Sequence, residues 1–216
     1  MHPYPRGGNG SAPPLNYDTL RMYFHWGNSP ALNIDEHPYA FNSYRPAFNG
    51  PNGDPAPMVA TETGCCTGTA RASVSLATHA KYMPRLFAEY FRHGFVRTFS
   101  YEFYDEADNP ASCESNFGLV NHDLTPKPSY IAIASLINLL ADKDPAFSPG
   151  TVTYSLKASA VGAYNRLQYV HDLLLQSSTG EYYLLLWHEI SDAATSDGTR
   201  YASTAADNQS PRRPCP

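Results

Sequence analysis

Pro57-Met58-Val59-Ala60-Thr61-Glu62-Thr63-Gly64 is a short apolar run that closes on a carboxylate and a glycine. It reads as a buried strand over 57–64 followed by a Gly/Thr loop. Leu76, Ala80, Met83, Phe87 and Tyr90 come next, spaced 4, 3, 4 and 3, which places them on one face of a helix over 75–93. Pro84 is expected to kink or interrupt that helix, and Gly94 to stop it. The aromatic-rich stretch 95–104 reads as a second strand. After a long polar loop, Tyr130, Ile133, Ile137 and Leu140 mark a helix over 128–141, with proline at its first turn. Strand, helix, strand, helix in this order implies parallel βαβ units.

On either side of this segment the texture differs. Residues 1–56 are rich in turn formers, as in Arg6-Gly7-Gly8-Asn9-Gly10, with a short helix expected over 17–26. Beyond Asp144-Pro145, the stretches 151–156, 168–175 and 181–187 read as strands without intervening helices. Ser177-Ser178-Thr179-Gly180 joins the last two as a hairpin. The chain therefore divides into a β/α part, 1–144, and a small antiparallel part, 145–216. From about Ser191 onward apolar residues thin out, and the Pro-rich tail is expected to fray.

Composition narrows the function classes. Sixteen Tyr and ten Phe in 216 residues, with a net charge of -5, describe a packed globular chain rather than a disordered one. The acidic balance and a pI near 5.9 argue against nucleic acid as the main partner. Arg212-Arg213 is the one basic cluster, in the tail. No apolar run is long enough to span a bilayer. The start, Met1-His2-Pro3-Tyr4-Pro5, is no signal peptide, so the chain as it stands reads as cytoplasmic, while composition leaves the compartment undecided. Four cysteines do not make a disulfide scaffold, and free thiols are expected. Cys65 and Cys66 are adjacent, so at most one of them would readily pair with Cys113.

Glu62 is the sharpest candidate for chemistry. In parallel β/α architectures, ligand-facing residues sit at the C-terminal ends of strands. A carboxylate there can attack an anomeric carbon, act as a base or bind a metal; it can equally cap the loop that follows. Tyr101-Glu102-Phe103-Tyr104-Asp105-Glu106 closes the second strand. Were the strand to run that far, alternation would turn Glu102 and Glu106 to one side and Asp105 to the other. Acids and tyrosines together suit a polyol such as a sugar, or simply a polar rim. His79 and His93 stand 14 apart with no second ligand at i+4, which is wrong for zinc. No GxSxG, P-loop or GxGxxG motif occurs, so serine hydrolases, NTPases and nicotinamide enzymes lose support. Neither a metal nor a cofactor is expected.

Glu62 at its strand end, the aromatic strand from Arg97 to Glu106, Glu114-Ser115-Asn116-Phe117-Gly118-Leu119-Val120 and Thr125-Pro126-Lys127-Pro128-Ser129-Tyr130 together resemble a known pattern. It is the C-terminal part of the retaining (β/α)8-barrel glycoside hydrolases of the clan that includes cellulases and β-xylosidases. The opening His2-Pro3-Tyr4 resembles the end of a sixth strand, and Tyr182-Tyr183-Leu184-Leu185-Leu186-Trp187 the β-sandwich that often trails such barrels. The resemblance implies an incomplete TIM-like barrel, about strands six to eight, followed by part of an antiparallel sandwich. It makes Glu62 the nucleophile of β-glycoside hydrolysis with retention. Tyr101, Glu102 and Asp105 fall on the substrate rim, with His2 and Tyr4 beside them, and Glu102 and Glu106 are candidate acid/bases.

One departure matters. The family's acid/base follows an Asn at the end of the fourth strand, and this chain contains no Asn-Glu dipeptide. A start near strand six would account for it, as a fragment or as a reduced descendant. A homo-oligomer could then complete the site for a carbohydrate substrate. The alternative expectation is an inactive carbohydrate-binding or oligomerisation remnant.

Overall fold

The structure, a computed structural model, describes residues 57–70, 73–92, 94–144, 146–157 and 170–188. The expectations for His2, Tyr4, the helix over 17–26, His93 and the tail lie outside the described residues. Those described form a mixed α/β arrangement with two helices of several turns and two small sheets.

Strand β1, Met58–Thr63, leads through the Gly/Thr loop into helix α1, Leu76–Arg92, which returns to strand β2, Phe95–Ser100. The strands pair in parallel, from Met58 with Phe95 to Thr63 with Ser100. This is the βαβ unit that the strand–helix–strand order implied. Ser75 starts α1: its Oγ accepts the Thr78 backbone N–H at 3.1 Å, satisfying one orphan donor of the first turn.

One expectation is narrowed and another is corrected. Helix α1 runs through Pro84 without ending, so the proline does not interrupt it. A proline there removes one backbone bond, and burial of the helix face against the sheet and loops offsets the loss. The buried face is also turned relative to the expected one. His79, Tyr82, Met83, Leu86 and Tyr90 are buried, whereas Leu76 in the first turn is exposed. Tyr82 and Met83 pack with Cys65, Val74 and Leu119 in one cluster, and Leu86 and Tyr90 with Ala60 and Phe95 in another. Tyr90 stacks on Phe95 with ring centroids 5.0 Å apart.

The second strand is shorter than its aromatic content suggested, ending at Ser100. An irregular segment and a short 3-10 turn, Glu114–Asn116, lead to helix α2, Pro128–Leu140. Ile133 of α2 packs against the cluster around Tyr82, while Ile131, Ile137 and Leu139 stay exposed. Residues 151–157 form no strand, against the expected strand over 151–156. The expected hairpin is present: β3, Val170–Gln176, pairs antiparallel with β4, Tyr182–His188. Its turn is closed by Gly180 N–H donating to Ser177 O and Ser177 N–H to Glu181 O, both at 2.9 Å.

Candidate functional site

Glu62 lies at the end of β1, and Glu102, Asp105 and Glu106 follow the end of β2. Tyr101 N–H donates to Thr63 O at 2.7 Å, extending the parallel ladder one residue past β2. Glu62 precedes one partner of that bond and Glu102 follows the other. The approach is close enough to require glycine next in the chain: a Cβ on Gly64 would lie 2.3 Å from Tyr101 O. Glu62 is half-buried at the strand end. Thr63, beside it, turns inward, its Oγ1 3.1 Å from the Tyr90 hydroxyl of α1.

Because β2 stops at Ser100, pleat alternation does not reach the acids after it. They are set instead by backbone bonds to the segment around the 3-10 turn. Glu102 N–H donates to Phe117 O at 3.3 Å, and Asp105 N–H to Val120 O at 3.0 Å. Glu102 is half-buried, and its Oε1 is shielded from solvent without a hydrogen-bond partner among the described residues. Burial, then the negative charges of Glu106, Asp105 and Glu114, push its carboxyl up to about 7, with Lys127 opposing them. Such a group exchanges a proton near neutral pH. Glu106 is exposed.

Tyr101 donates its hydroxyl to Glu114 Oε1 at 2.8 Å. That bond, with burial and the surrounding acids, holds the phenol in its neutral form above the usual tyrosine range. The ring packs edge-on against Phe117, 5.5 Å between centroids. Further along the rim, the Tyr104 hydroxyl donates to His122 O at 2.9 Å.

Asp105, expected among the rim residues, is turned inward. It is 4 % exposed, and its Oδ1 accepts from Lys127 Nζ at 2.7 Å and from Gly118 N–H at 2.8 Å. The reason is charge: a buried lysine needs a buried counter-ion. Gly118 is constrained by the same contact, since a Cβ there would meet Asp105 N at 2.4 Å and Asp105 Oδ1 at 2.6 Å.

The free-thiol expectation is corrected. Cys66 and Cys113 form a disulfide with Cα atoms 5.3 Å apart, tying the loop after β1 to the 3-10 turn. Cys65 remains a free, buried thiol, and burial pushes it up to about 12, so it is no nucleophile. His79 is also buried and held neutral, its pKa lowered to about 3 by burial and by the charge of Lys127. The Cys65 backbone pulls slightly the other way, though neither ring nitrogen meets a partner at full hydrogen-bond geometry among the described residues. No group of three or more His, Cys, Asp or Glu placed to hold a metal ion occurs among the described residues. No described helix is long and apolar enough to cross a membrane.

Lys127 and Glu114 were legible only as letters of the Phe-Gly-Leu to Lys-Pro segment. Nothing in their spacing announced that one would be buried and the other would hold Tyr101.

No family model matches the chain. No curated protein matches it either. Among solved structures it is similar to a family 39 glycoside hydrolase from the gut symbiont Bacteroides cellulosilyticus, with 22 % identity and a TM-score of 0.48. The match covers 88 % of this chain and 42 % of that one, so the chain spans less than half of that protein's length.

Proposed function

We propose that the chain is the C-terminal portion of a glycoside hydrolase that cleaves β-glycosidic bonds with retention. Its 1–144 part would correspond to about strands six to eight of a (β/α)8 barrel, and 145–216 to part of a trailing β-sandwich. The observation that carries the reading is the Tyr101 N–H to Thr63 O bond, because Glu62 precedes one of its partners and Glu102 follows the other at one end of a parallel sheet. That end is where parallel β/α folds place their chemistry.

In the proposed reaction Glu62 attacks the anomeric carbon and forms a glycosyl-enzyme. Glu102, or the exposed Glu106, protonates the departing oxygen and afterwards takes the proton from the incoming water. A carboxyl titrating near 7 suits both halves, since it is protonated for the first and ionised for the second. Tyr101 and Tyr104 would line the rim against which a sugar ring lies. The substrate is a carbohydrate, and a second copy of the chain would contribute to the walls of the site.

A second reading is an oligomerisation or carbohydrate-binding unit without turnover. The apolar side chains of Ile131, Ile137 and Leu139 exposed on α2, and of Val96 and Phe99 on β2, favour it.

Hydrolysis of aryl β-glucosides, β-galactosides and β-xylosides, followed for each species separated by size, tests the proposal. Turnover that Glu62→Gln abolishes supports it. Turnover that Glu62→Gln leaves intact removes Glu62 as nucleophile. Saturable glycan binding without turnover selects the second reading.

A further inference from the structure

Lys127 stands at the entrance to α2 and is 1 % exposed. An ammonium has three hydrogens to donate, and here it has three acceptors from three separate segments. Nζ reaches Asp105 Oδ1 at 2.7 Å, Thr67 Oγ1 at 2.9 Å and Asn116 O at 3.3 Å. Thr67 lies in the loop that leaves Glu62, Asp105 in the segment between Glu102 and Glu106, and Asn116 at the end of the 3-10 turn that begins with Glu114. The lysine backbone is fixed as well, its N–H donating to Leu119 O at 2.9 Å. Thr67 N–H donates to Asn116 O at 2.9 Å, so two of the three segments also meet directly.

We propose that Lys127 is a positioning residue of the strand-end site. Its buried ammonium locks the loop that leaves Glu62 to the segment that carries Glu102, and adds a positive charge to that segment at Asp105. Beyond its one carboxylate partner, Asp105, the ammonium also bonds the loop after β1 and the 3-10 turn. The groups that face it are Thr67 and Cys65 from the loop after β1, His79 from α1, Glu102 and Asp105 from the segment after β2, and Asn116 from the 3-10 turn. Its charge opposes the upward push on Glu102 from burial and from Glu106, Asp105 and Glu114. The catalytic meaning of this role rests on the glycosidase reading. The electrostatic role does not.

The test is a carboxyl NMR titration of Glu102 in the full chain, beside the pH profile of aryl-glycoside hydrolysis. In Lys127→Met the Glu102 titration is expected to rise measurably, with Lys127→Arg returning it toward the parent value. Lys127→Met leaves Asp105 buried and unpaired, so it is accompanied by Asp105→Asn. That variant keeps an acceptor for Lys127 and removes one negative charge, and the Glu102 titration is expected to fall. If Lys127→Met does not fold, Lys127→Gln, which keeps hydrogen-bond donors without the charge, takes its place and is likewise expected to raise the Glu102 titration. A Glu102 titration that stays fixed in the folded variants overturns the proposal. If no protein in the series hydrolyses any glycoside while the titrations move as stated, the glycosidase reading fails and the role of Lys127 stands.

Discussion

His171 Nδ1 lies 2.7 Å from Glu89 Oε2, and this pair joins helix α1 to strand β3. Glu89 is 1 % exposed, with Arg92 Nη1 3.5 Å from its other oxygen. Arg92 Nε also donates to Asp172 O at 3.2 Å, so both ends of the contact lead into the hairpin. The Trp187 ring of β4 packs edge-on to His171, 5.8 Å between centroids. Removing one member of such a pair leaves a buried carboxylate with less compensation. His171→Ala is therefore expected to lower stability by about 1–3 kcal/mol. A double-mutant cycle with Glu89→Gln should show non-additivity in urea unfolding. Strict additivity would show that the two residues are neighbours without coupling.

Acid should weaken the fold through His79. Its folded pKa is lowered to about 3, against 6.5 for an ordinary histidine. Between those values the unfolded chain binds a proton that the folded one refuses, so stability falls as pH drops from 6.5 toward 3. The slope within that window is about 1.4 kcal/mol per pH unit for one proton. His79→Leu removes this dependence along with two buried nitrogens. The gap between variant and parent in denaturant midpoint should move in favour of the variant between pH 7 and pH 4. A constant gap would mean that the imidazole titrates normally.

Much of this fold was legible because its signals are local and periodic. The apolar run ending at Glu62, the 3-4 spacing along α1, the proline opening α2 and the hairpin turn at 177–180 each report on neighbours in sequence. What escaped depends on distant partners. Leu76 continues the apolar spacing of α1, yet it is exposed, and the buried stripe is carried by residues such as His79 and Tyr82. The end of β2 escaped because Glu102 and Asp105 donate their backbone N–H groups to Phe117 and Val120 rather than to β1, and no pattern in 95–106 encodes that. Asp105 was seen as one acid among three. Only the arrival of Lys127 from 22 residues away makes it the internal one.

The Cys66–Cys113 disulfide should carry much of the order of the rim. It closes a separation of 47 residues, for which chain entropy alone gives about 4 kcal/mol. Cys113→Ser, or reduction of the parent, is expected to lower the denaturant midpoint clearly. Cys65 should stay unreactive to iodoacetamide in the folded state, being buried with its thiol pushed up to about 12. Equal midpoints with and without reductant would show that the crosslink constrains nothing the fold does not already hold.

Glu102 offers the sharpest chemical prediction. Its carboxyl sits at about 7 in the folded chain, against 4.5 for an ordinary glutamate. As a general acid it must be protonated, so glycosyl transfer from a poor leaving group should decline as pH rises through about 7. The same shift acts on stability: the folded state holds the extra proton between 4.5 and 7, so this group's contribution is lost as pH rises through that window. Glu102→Gln cannot donate a proton. It should remove the alkaline limb and slow hydrolysis of poor leaving groups by about 100-fold or more. Activated leaving groups such as dinitrophenol depart without an acid, so their first step should be nearly unaffected. If the alkaline limb persists in Glu102→Gln, the proton comes from elsewhere. Glu106→Gln, altering the exposed neighbour on the same rim, is then the variant that should abolish it.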